Sequence, residues 1–314
     1  MPEVQNSPAI VVVGSSNTDM VIKTAHLPAP GETILGGTFF MNAGGKGANQ
    51  AVAAARLGGA VTFVAKVGND IFGREAVQLF EKESINTSFV VTDLQQPSGV
   101  ALITVDEKGE NCIAVASGAN AALYKEDVEP ALEEIEYANV VLMQLEVPLD
   151  TVIYVAEEAA KKGKKVILNP APACALPDAL YPHISIITPN ETEAGMLTRI
   201  RVTNEETAKE AAFVLRKKGV DTVIITLGAK GALILERETF TLVPSIPVKA
   251  VDTTAAGDIF NGALAVALAE GKELAKAVAF ACKAAALSVT KLGAQASAPY
   301  RDEVEDFPVL LSQA

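Results

Sequence analysis

Asp252-Thr253-Thr254-Ala255-Ala256-Gly257-Asp258 joins an extended apolar run, Val248 to Val251, to a stretch of helical spacing, Ile259 to Ala269. The turn is built of small residues and ends in an acid. Small residues at a helix start leave backbone N–H groups bare, and those donors together with the helix dipole favour an anion. Asp258 then stands beside that anion. A carboxylate next to a bound phosphate makes a poor cap but a good base for a hydroxyl attacking that phosphate. An ordinary strand–turn–helix junction is the competing reading of these seven residues alone.

The rest of the chain repeats the same strand-then-helix rhythm. Ile10 to Val13, Val61 to Lys66, Val140 to Met143, Lys165 to Leu168, Ile184 to Ile187 and Val223 to Thr226 are short β-rich runs. Gly47 to Leu57, Phe72 to Glu81, Leu149 to Lys162 and Glu205 to Lys218 have helical spacing. Short apolar runs alternating with helices predict an α/β fold, a three-layer sandwich around a mostly parallel sheet. Two regions interrupt the rhythm. Met20 to Met41 has turn residues and no helical pattern. Val100 to Val115 reads as two strands around a hairpin turn at Asp106 to Glu110. Together they predict a small discontinuous β lid, from about 17–43 and 98–116, on a single α/β domain, over the strand ends where ligands bind in such folds.

Composition narrows the function. The chain has 314 residues, 49% of them hydrophobic, and a net charge of −12. That balance argues against a nucleic-acid or anionic-membrane partner. Three scattered cysteines show no metal-binding or disulfide spacing, which fits a reducing cytoplasm. The polar, acid-bearing start of the chain does not read as a signal peptide. His26 and His183, the two histidines, sit beside prolines outside any chemical cluster. There is neither a P-loop nor a GxGxxG dinucleotide fingerprint.

Several other turns carry polar residues suited to a polyhydroxyl ligand. Gly44-Gly45-Lys46-Gly47-Ala48-Asn49 opens a helix with two glycines, and Lys46 and Asn49 share a face at that helix start. Asn17 and Asp19 follow the first strand in what reads as a polar turn, and Glu146 follows the strand ending at Met143. Asp19, Lys46, Asn49, Glu146 and Asp258 thus converge on one predicted sheet edge. Asn190 and Glu193 have the spacing of a capping box, or of a pair that orients waters around a phosphate-bound Mg²⁺. Thr226, Gly228 and Gly231 form a further turn after a strand, suited to a nucleotide's base or ribose.

Taken in order, these motifs resemble the ribokinase family of sugar kinases, the PfkB group, from Gly14 to about Ser297. Gln144-Leu145-Glu146, Asn169-Pro170-Ala171-Pro172 and Gly293-Ala294-Gln295 add to the match, and GGKGANQA with NPAP favours its ribokinase branch. The resemblance implies transfer of the ATP γ-phosphoryl group to the 5-hydroxyl of D-ribose. It implies that Asn17, Asp19, Gly45, Lys46, Asn49 and Glu146 hold the sugar, with Asp258 as base and Ala255, Ala256 and Gly257 as anion hole. It also implies an ATP site with Asn190, Thr226, Gly228, Gly231, Gly257 and Cys282, and Mg²⁺ bound through waters at Asn190 and Glu193. K⁺ activation is implied at Asp252, Thr254, Ser288, Lys291, Gly293 and Ser297, and a homodimer through the lid. Relatives often have glycine where Ala255 stands; alanine is expected to fit there in a helical conformation with little loss. Cys282 stands where relatives often place Asn or His near adenine. A kinase for another sugar or nucleoside (deoxyribose, fructose, adenosine), or a non-catalytic sugar-binding regulator, are the competing readings.

Overall fold

The computed structural model describes residues 8–308. In chain order the elements begin β1 (Ala9–Val13), β2 (Asn17–Lys23), β3 (Thr38–Gly44), α1 (Lys46–Arg56), β4 (Ala60–Gly68), α2 (Ile71–Lys82) and β5 (Asn86–Asp93). Next come β6 (Gly99–Val105), β7 (Asn111–Ala116), α3 (Lys125–Val128), α4 (Leu132–Tyr137), β8 (Val140–Met143), α5 (Leu149–Lys161), β9 (Lys165–Leu168) and β10 (Ile186–Ile187). The last are α6 (Glu191–Thr198), α7 (Glu205–Lys217), β11 (Thr222–Thr226), β12 (Ala232–Glu236), β13 (Thr239–Val243), α8 (Ala256–Ala269), α9 (Leu274–Ser288) and α10 (Arg301–Asp306).

A nine-stranded sheet runs in the order β13-β12-β11-β10-β9-β8-β1-β4-β5. From β5 to β11 it is parallel, and the β11-β12-β13 edge is antiparallel. Successive side chains of a strand point to opposite faces, and β1 feeds two cores. Ile10 and Val12 pack with α1, α8 and α9 residues such as Val52, Leu264 and Val278. Val11 and Val13 pack with α5 and α7 residues such as Val155 and Leu215. Strand order reverses between β1 and β8, and such a switch point opens a crevice at the carboxyl ends of its two strands. Gly14 to Asn17 leave β1 there and Gln144 to Glu146 leave β8.

A separate four-stranded sheet, β3-β2-β6-β7, forms from the two segments that break the α/β rhythm. Asn17 and Asp19 lie in β2 and not in a polar turn. Two positions apart on a strand, they face the same side. The expected strand Val248 to Val251 is also absent: these residues form no ladder, and Pro244 and Pro247 remove N–H donors just before them. Of Ile184 to Ile187 only the last two pair, because Ile184 closes a 3₁₀ turn by bonding Tyr181. β5, β12, β13 and α9 have no counterpart among the elements expected from sequence.

Candidate active site

The site forms where β2, the start of α1, the end of β8 and the start of α8 meet. Gly45 stands before α1 at φ +88°, a region that glycine occupies without penalty, and a Cβ there would lie 2.7 Å from the Asn17 backbone nitrogen. The turn therefore brings Lys46 and Asn49 against β2. Glu146 accepts from the Lys46 backbone N–H at 2.9 Å and from the Ser15 hydroxyl. Asn120, buried in the turn after β7, donates to Asn17 Oδ1 at 2.8 Å and accepts from Ser16 N–H at 2.9 Å. This fixes the Asn17 amide beside a cleft of about 470 Å³ that Glu146, Asn120, Val115 and Pro172 also line. Asp258 is not part of that lining, so the cleft marks a flank of the cluster and not its centre.

Asp258 occupies the first turn of α8 and is only 5% exposed. Asn49 Nδ2 donates to its Oδ2 at 2.9 Å and Gln50 Nε2 to its Oδ1 at 3.0 Å. Burial pushes its pKa up, against the opposing pull of Lys46 and the two amides. Asp19 is raised to about 6, chiefly by burial and then by Glu146 and Asp258. Burial lowers the Lys46 pKa, but Asp258, Glu146, Glu193 and Asp19 together outweigh it and the net direction is up. One ammonium thus stands among four carboxyl groups. That cluster offers acceptors and donors at close quarters, as a polyhydroxyl ligand requires.

The start of α8 has no side-chain cap; the Ala256 N–H turns back to Thr253 O over a long 3.3 Å, and the N–H groups that follow face the turn where an anion can bind. A Cβ built on Gly257 would meet nothing within 4 Å, so the space above it is open. Ala255 departs from expectation. It adopts φ +61°, ψ +9°, the left-handed region, and not a helical one. An L-residue there costs about 1–2 kcal/mol, because Cβ crowds the neighbouring carbonyl oxygen. The left-handed residue ends the non-helical approach and starts α8, which explains why glycine suits the position.

The remaining expected residues fall into three places. Asn190 and Glu193 form the reciprocal capping box of α6: Glu193 N–H donates to Asn190 Oδ1 at 2.8 Å, and Asn190 N–H to Glu193 Oε2 at 2.9 Å. Burial raises the Glu193 pKa, and Lys46 and Asp258 both act on it, so the pair borders the cluster. Thr226 bridges to Asn190 beside the turn of Gly228 and Gly231. Cys282 is buried in the core on α9, and burial pushes its thiol up to about 12, so it stays a neutral thiol. Asp252 ties its own loop to the 293 loop, accepting from Thr254 N–H at 2.9 Å, Thr254 Oγ1 at 2.6 Å and Gly293 N–H at 2.9 Å. The Lys291 ammonium pairs with Glu303 at 2.5 Å, Ser288 Oγ donates to Ala285 O, and Ser297 Oγ donates to Ala294 O. Lys291 therefore has only its carbonyl to offer a cation, while the two serines keep hydroxyl lone pairs as well as carbonyls. Ser15, Gln50 and Asn120 were not expected; Gln50 directly follows Asn49 in the glycine-rich motif.

The profile of the pfkB family carbohydrate kinases matches residues 7–301. The chain belongs to the PfkB family. It is 46% identical to a ribokinase of Haemophilus influenzae over 95% of this chain and 97% of that one. It is 39% identical to a deoxyribokinase of Salmonella typhi over 95% of this chain and 98% of that one. Among solved structures, an Arabidopsis thaliana ribokinase complexed with ribose and ATP superimposes with a TM-score of 0.88 at 35% identity, covering 95% and 98% of the two chains. The architecture of that family, a mostly parallel sheet with a separate small sheet, is the one found here. Among the described residues no helix is long and apolar enough to cross a membrane.

Proposed function

We propose that the protein transfers the γ-phosphoryl group of ATP to the 5-hydroxyl of D-ribose, giving D-ribose 5-phosphate and ADP. The observation that carries this reading is the position of Asp258: a buried carboxylate in the same helical turn as the uncapped N–H groups of α8. Asn17, Asp19, Lys46, Asn49 and Glu146 bind and orient the sugar hydroxyls. Asp258 accepts the 5-hydroxyl proton as the O5–P bond forms and the bond from phosphorus to the β,γ-bridging oxygen breaks. The N–H groups of Ala256 and Gly257 stabilise the charge on the transferring phosphoryl oxygens. Thr226, Gly228 and Gly231 line the nucleotide.

Mg²⁺ fits as an ion carried in on ATP. Among the described residues no group of three or more His, Cys, Asp or Glu side chains is arranged to hold a metal. The Asn190–Glu193 pair would hold the ion's waters, and the ion would neutralise phosphate charge. K⁺ fits the loops that Asp252 joins, where carbonyls of Thr254, Ser288, Lys291, Gly293 and Ser297 and the Asp252 carboxylate offer hard oxygens. Burial alone would raise the Asp252 pKa, but the Thr254 hydroxyl and the Thr254 and Gly293 amides hold it below the usual range, so it stays anionic. Cross-strand pairing supports a homodimer through the small sheet. Met20 opposes Met41 and Leu102, and Ile22 opposes Phe39, so these apolar side chains share the face away from Asp19. Phe39, Met41 and Leu102 are each more than half exposed, and a second copy of the sheet covers them.

Deoxyribose is the alternative substrate, favoured by the 39% identity to a deoxyribokinase. The test is coupled ADP release with ribose, deoxyribose, fructose and adenosine, with and without K⁺ at fixed Mg²⁺. The expected result is the highest kcat/KM for ribose, rising with K⁺. A higher kcat/KM for another substrate moves the assignment to it, and silence across the panel overturns the kinase reading.

A further inference from the structure

Gln144, Asn169 and Thr188 are each the first residue past a parallel strand, β8, β9 and β10, and these three strands are neighbours. Their side chains therefore form a row along the strand ends, directly beneath α1 and α8. Gln50, from α1, inserts into this row and is fully buried. One side of its Nε2 donates to Asp258 Oδ1 at 3.0 Å and the other to Asn169 Oδ1 at 3.1 Å. Its Oε1 accepts from Gln144 Nε2 at 2.6 Å. Both protons and the carbonyl of the amide are used. Turning the Gln50 amide over would set its oxygen against two other oxygens and its NH₂ against the Gln144 NH₂, so one orientation is enforced.

The row continues to the other side of Asp258. Asn169 Nδ2 donates to Thr188 O at 3.3 Å, Thr188 Oγ1 to Asn261 Oδ1 at 2.7 Å, and Asn261 Nδ2 to Gly257 O at 2.8 Å. The hydrogen bonds leave α8 at Asp258 and return to it at Asn261, which bonds Gly257 O one turn back in the same helix. They couple the carboxylate to the turn that presents the N–H groups. Gln50 is fully buried beneath Asp258, so its route to a bound ligand is through that carboxylate.

We propose that Gln50 is a positioning residue for Asp258: its side-chain amide, locked by Gln144 and Asn169, holds the carboxylate in one orientation and favours its charged form. The inference rests on reading Asp258 as the base. The charged groups around Asp258 are Lys46 from α1, Glu146 from the loop after β8, Asp19 from β2 and Glu193 from α6. Three of those four are acids that disfavour a second negative charge. Donors to the charged form are what offset them, and among the described residues Gln50 is one of two side-chain amides that bond it.

The test uses the full chain with Gln50→Met, which keeps length and removes the amide, and Gln50→Glu, which keeps shape and the acceptor for Gln144. Both are followed by the pH dependence of kcat and by thermal melting. Removing a donor to the charged form raises the pKa of the base, and only the unprotonated base is active. The acid limb of kcat is therefore expected to move up by about one to two pH units in Gln50→Met and at least as far in Gln50→Glu. Turnover at a pH on the wild-type acid limb should fall about tenfold or more and recover largely on the alkaline side of the shifted limb. A folded variant of either kind whose acid limb coincides with wild type overturns the proposal, whatever its melting temperature, because a merely structural role lowers stability and leaves the limb in place. Asp258→Asn is run alongside. If it keeps near wild-type kcat, the reading of Asp258 as base fails; if it is inactive while the Gln50 limb is unmoved, only the positioning role fails.

Discussion

Gly262 faces α1 at the crossing of α1 and α8, and replacing it with alanine perturbs the contact that sets Asn49 and Gln50 against Asp258. A Cβ there would lie 2.7 Å from the Gln50 carbonyl oxygen, 2.7 Å from the Ala53 Cβ and 3.0 Å from the Ala54 nitrogen. Two of these are backbone atoms, so no flexible side chain can swing aside. Carbon–carbon contacts are most favourable near 3.5–4.0 Å, so the helices must part by roughly 1 Å. Overpacking of this kind costs about 1–3 kcal/mol, and the better helix propensity of alanine returns at most about 1 kcal/mol. The net expectation is a loss of up to about 2 kcal/mol, the overpacking cost less the full propensity gain, read from urea unfolding. The functional effect should be larger than the stability effect. A displacement of about 1 Å at a reacting centre can cost on the order of 10²-fold, and the Asn49 and Gln50 bonds to Asp258 span this crossing. Coupled ADP release should therefore show kcat reduced by 10-fold or more, by the same reasoning, with KM for ATP little changed. A variant as stable and as active as wild type would show that the crossing has slack, and that the 2.9 and 3.0 Å bonds do not depend on it.

Gly257 lies five residues earlier on the same helix and predicts the opposite pattern. Gly257→Ala meets nothing within 4 Å and should stabilise the unliganded chain by up to about 1 kcal/mol in thermal melting, while lowering kcat because the methyl fills the space over the anion hole. Ala255→Gly relieves the left-handed alanine at a partly compensating entropic cost, so stability should rise by up to about 1 kcal/mol with activity kept; a loss of stability would contradict the strain. Asp19, raised to about 6, makes the unliganded protein lose stability as pH rises from about 4 to 6, because the folded state holds its proton longer than the unfolded one. Asp19→Asn removes that penalty, of up to about 3 kcal/mol before solvent screening, so its melting temperature should exceed wild type at pH 7.5 and converge with it near pH 4, while ribose binding is lost.

Much of this fold was legible because its central strands are short β-branched runs buried on both faces, as with Ile10 to Val13 and Val140 to Met143. α9 was missed because Leu274 to Ser288 packs between α8 and the β12–β13 edge and is apolar on several sides, which erases the single stripe of a surface helix. β5 was missed because its half-exposed Asn-Thr-Ser start dilutes the signal of Phe89 to Val91. At the site, Lys46, Asn49, Glu146 and Asp258 were legible because each follows a strand or opens a helix on one edge; Asp19 joins them from within β2 and not from the polar turn expected. The conformation of Ala255 was not, since alanine by itself prefers the right-handed region and only the incoming loop, pinned by Asp252, forces it over. Nor was the Gln50–Gln144–Asn169 row, which exists only once β8 and β9 pair in register.

The placement of Asp258 at the start of α8 resolves a tension in its chemistry. As the proposed base Asp258 needs its charge, yet burial and three neighbouring acids oppose that charge. A helix N-terminus favours an anion within its first turn, and the Asn49 and Gln50 amides add two donors. In the proposed reaction the same N-terminus also receives the phosphoryl oxygens, so one dipole serves two negative groups. Those groups repel each other while the carboxylate is charged. The repulsion ends when Asp258 takes the hydroxyl proton, as charge builds on the oxygens facing the Ala256 and Gly257 amides. Proton uptake by the base and stabilisation of the transferring group thus reinforce each other, because both draw on one turn of one helix.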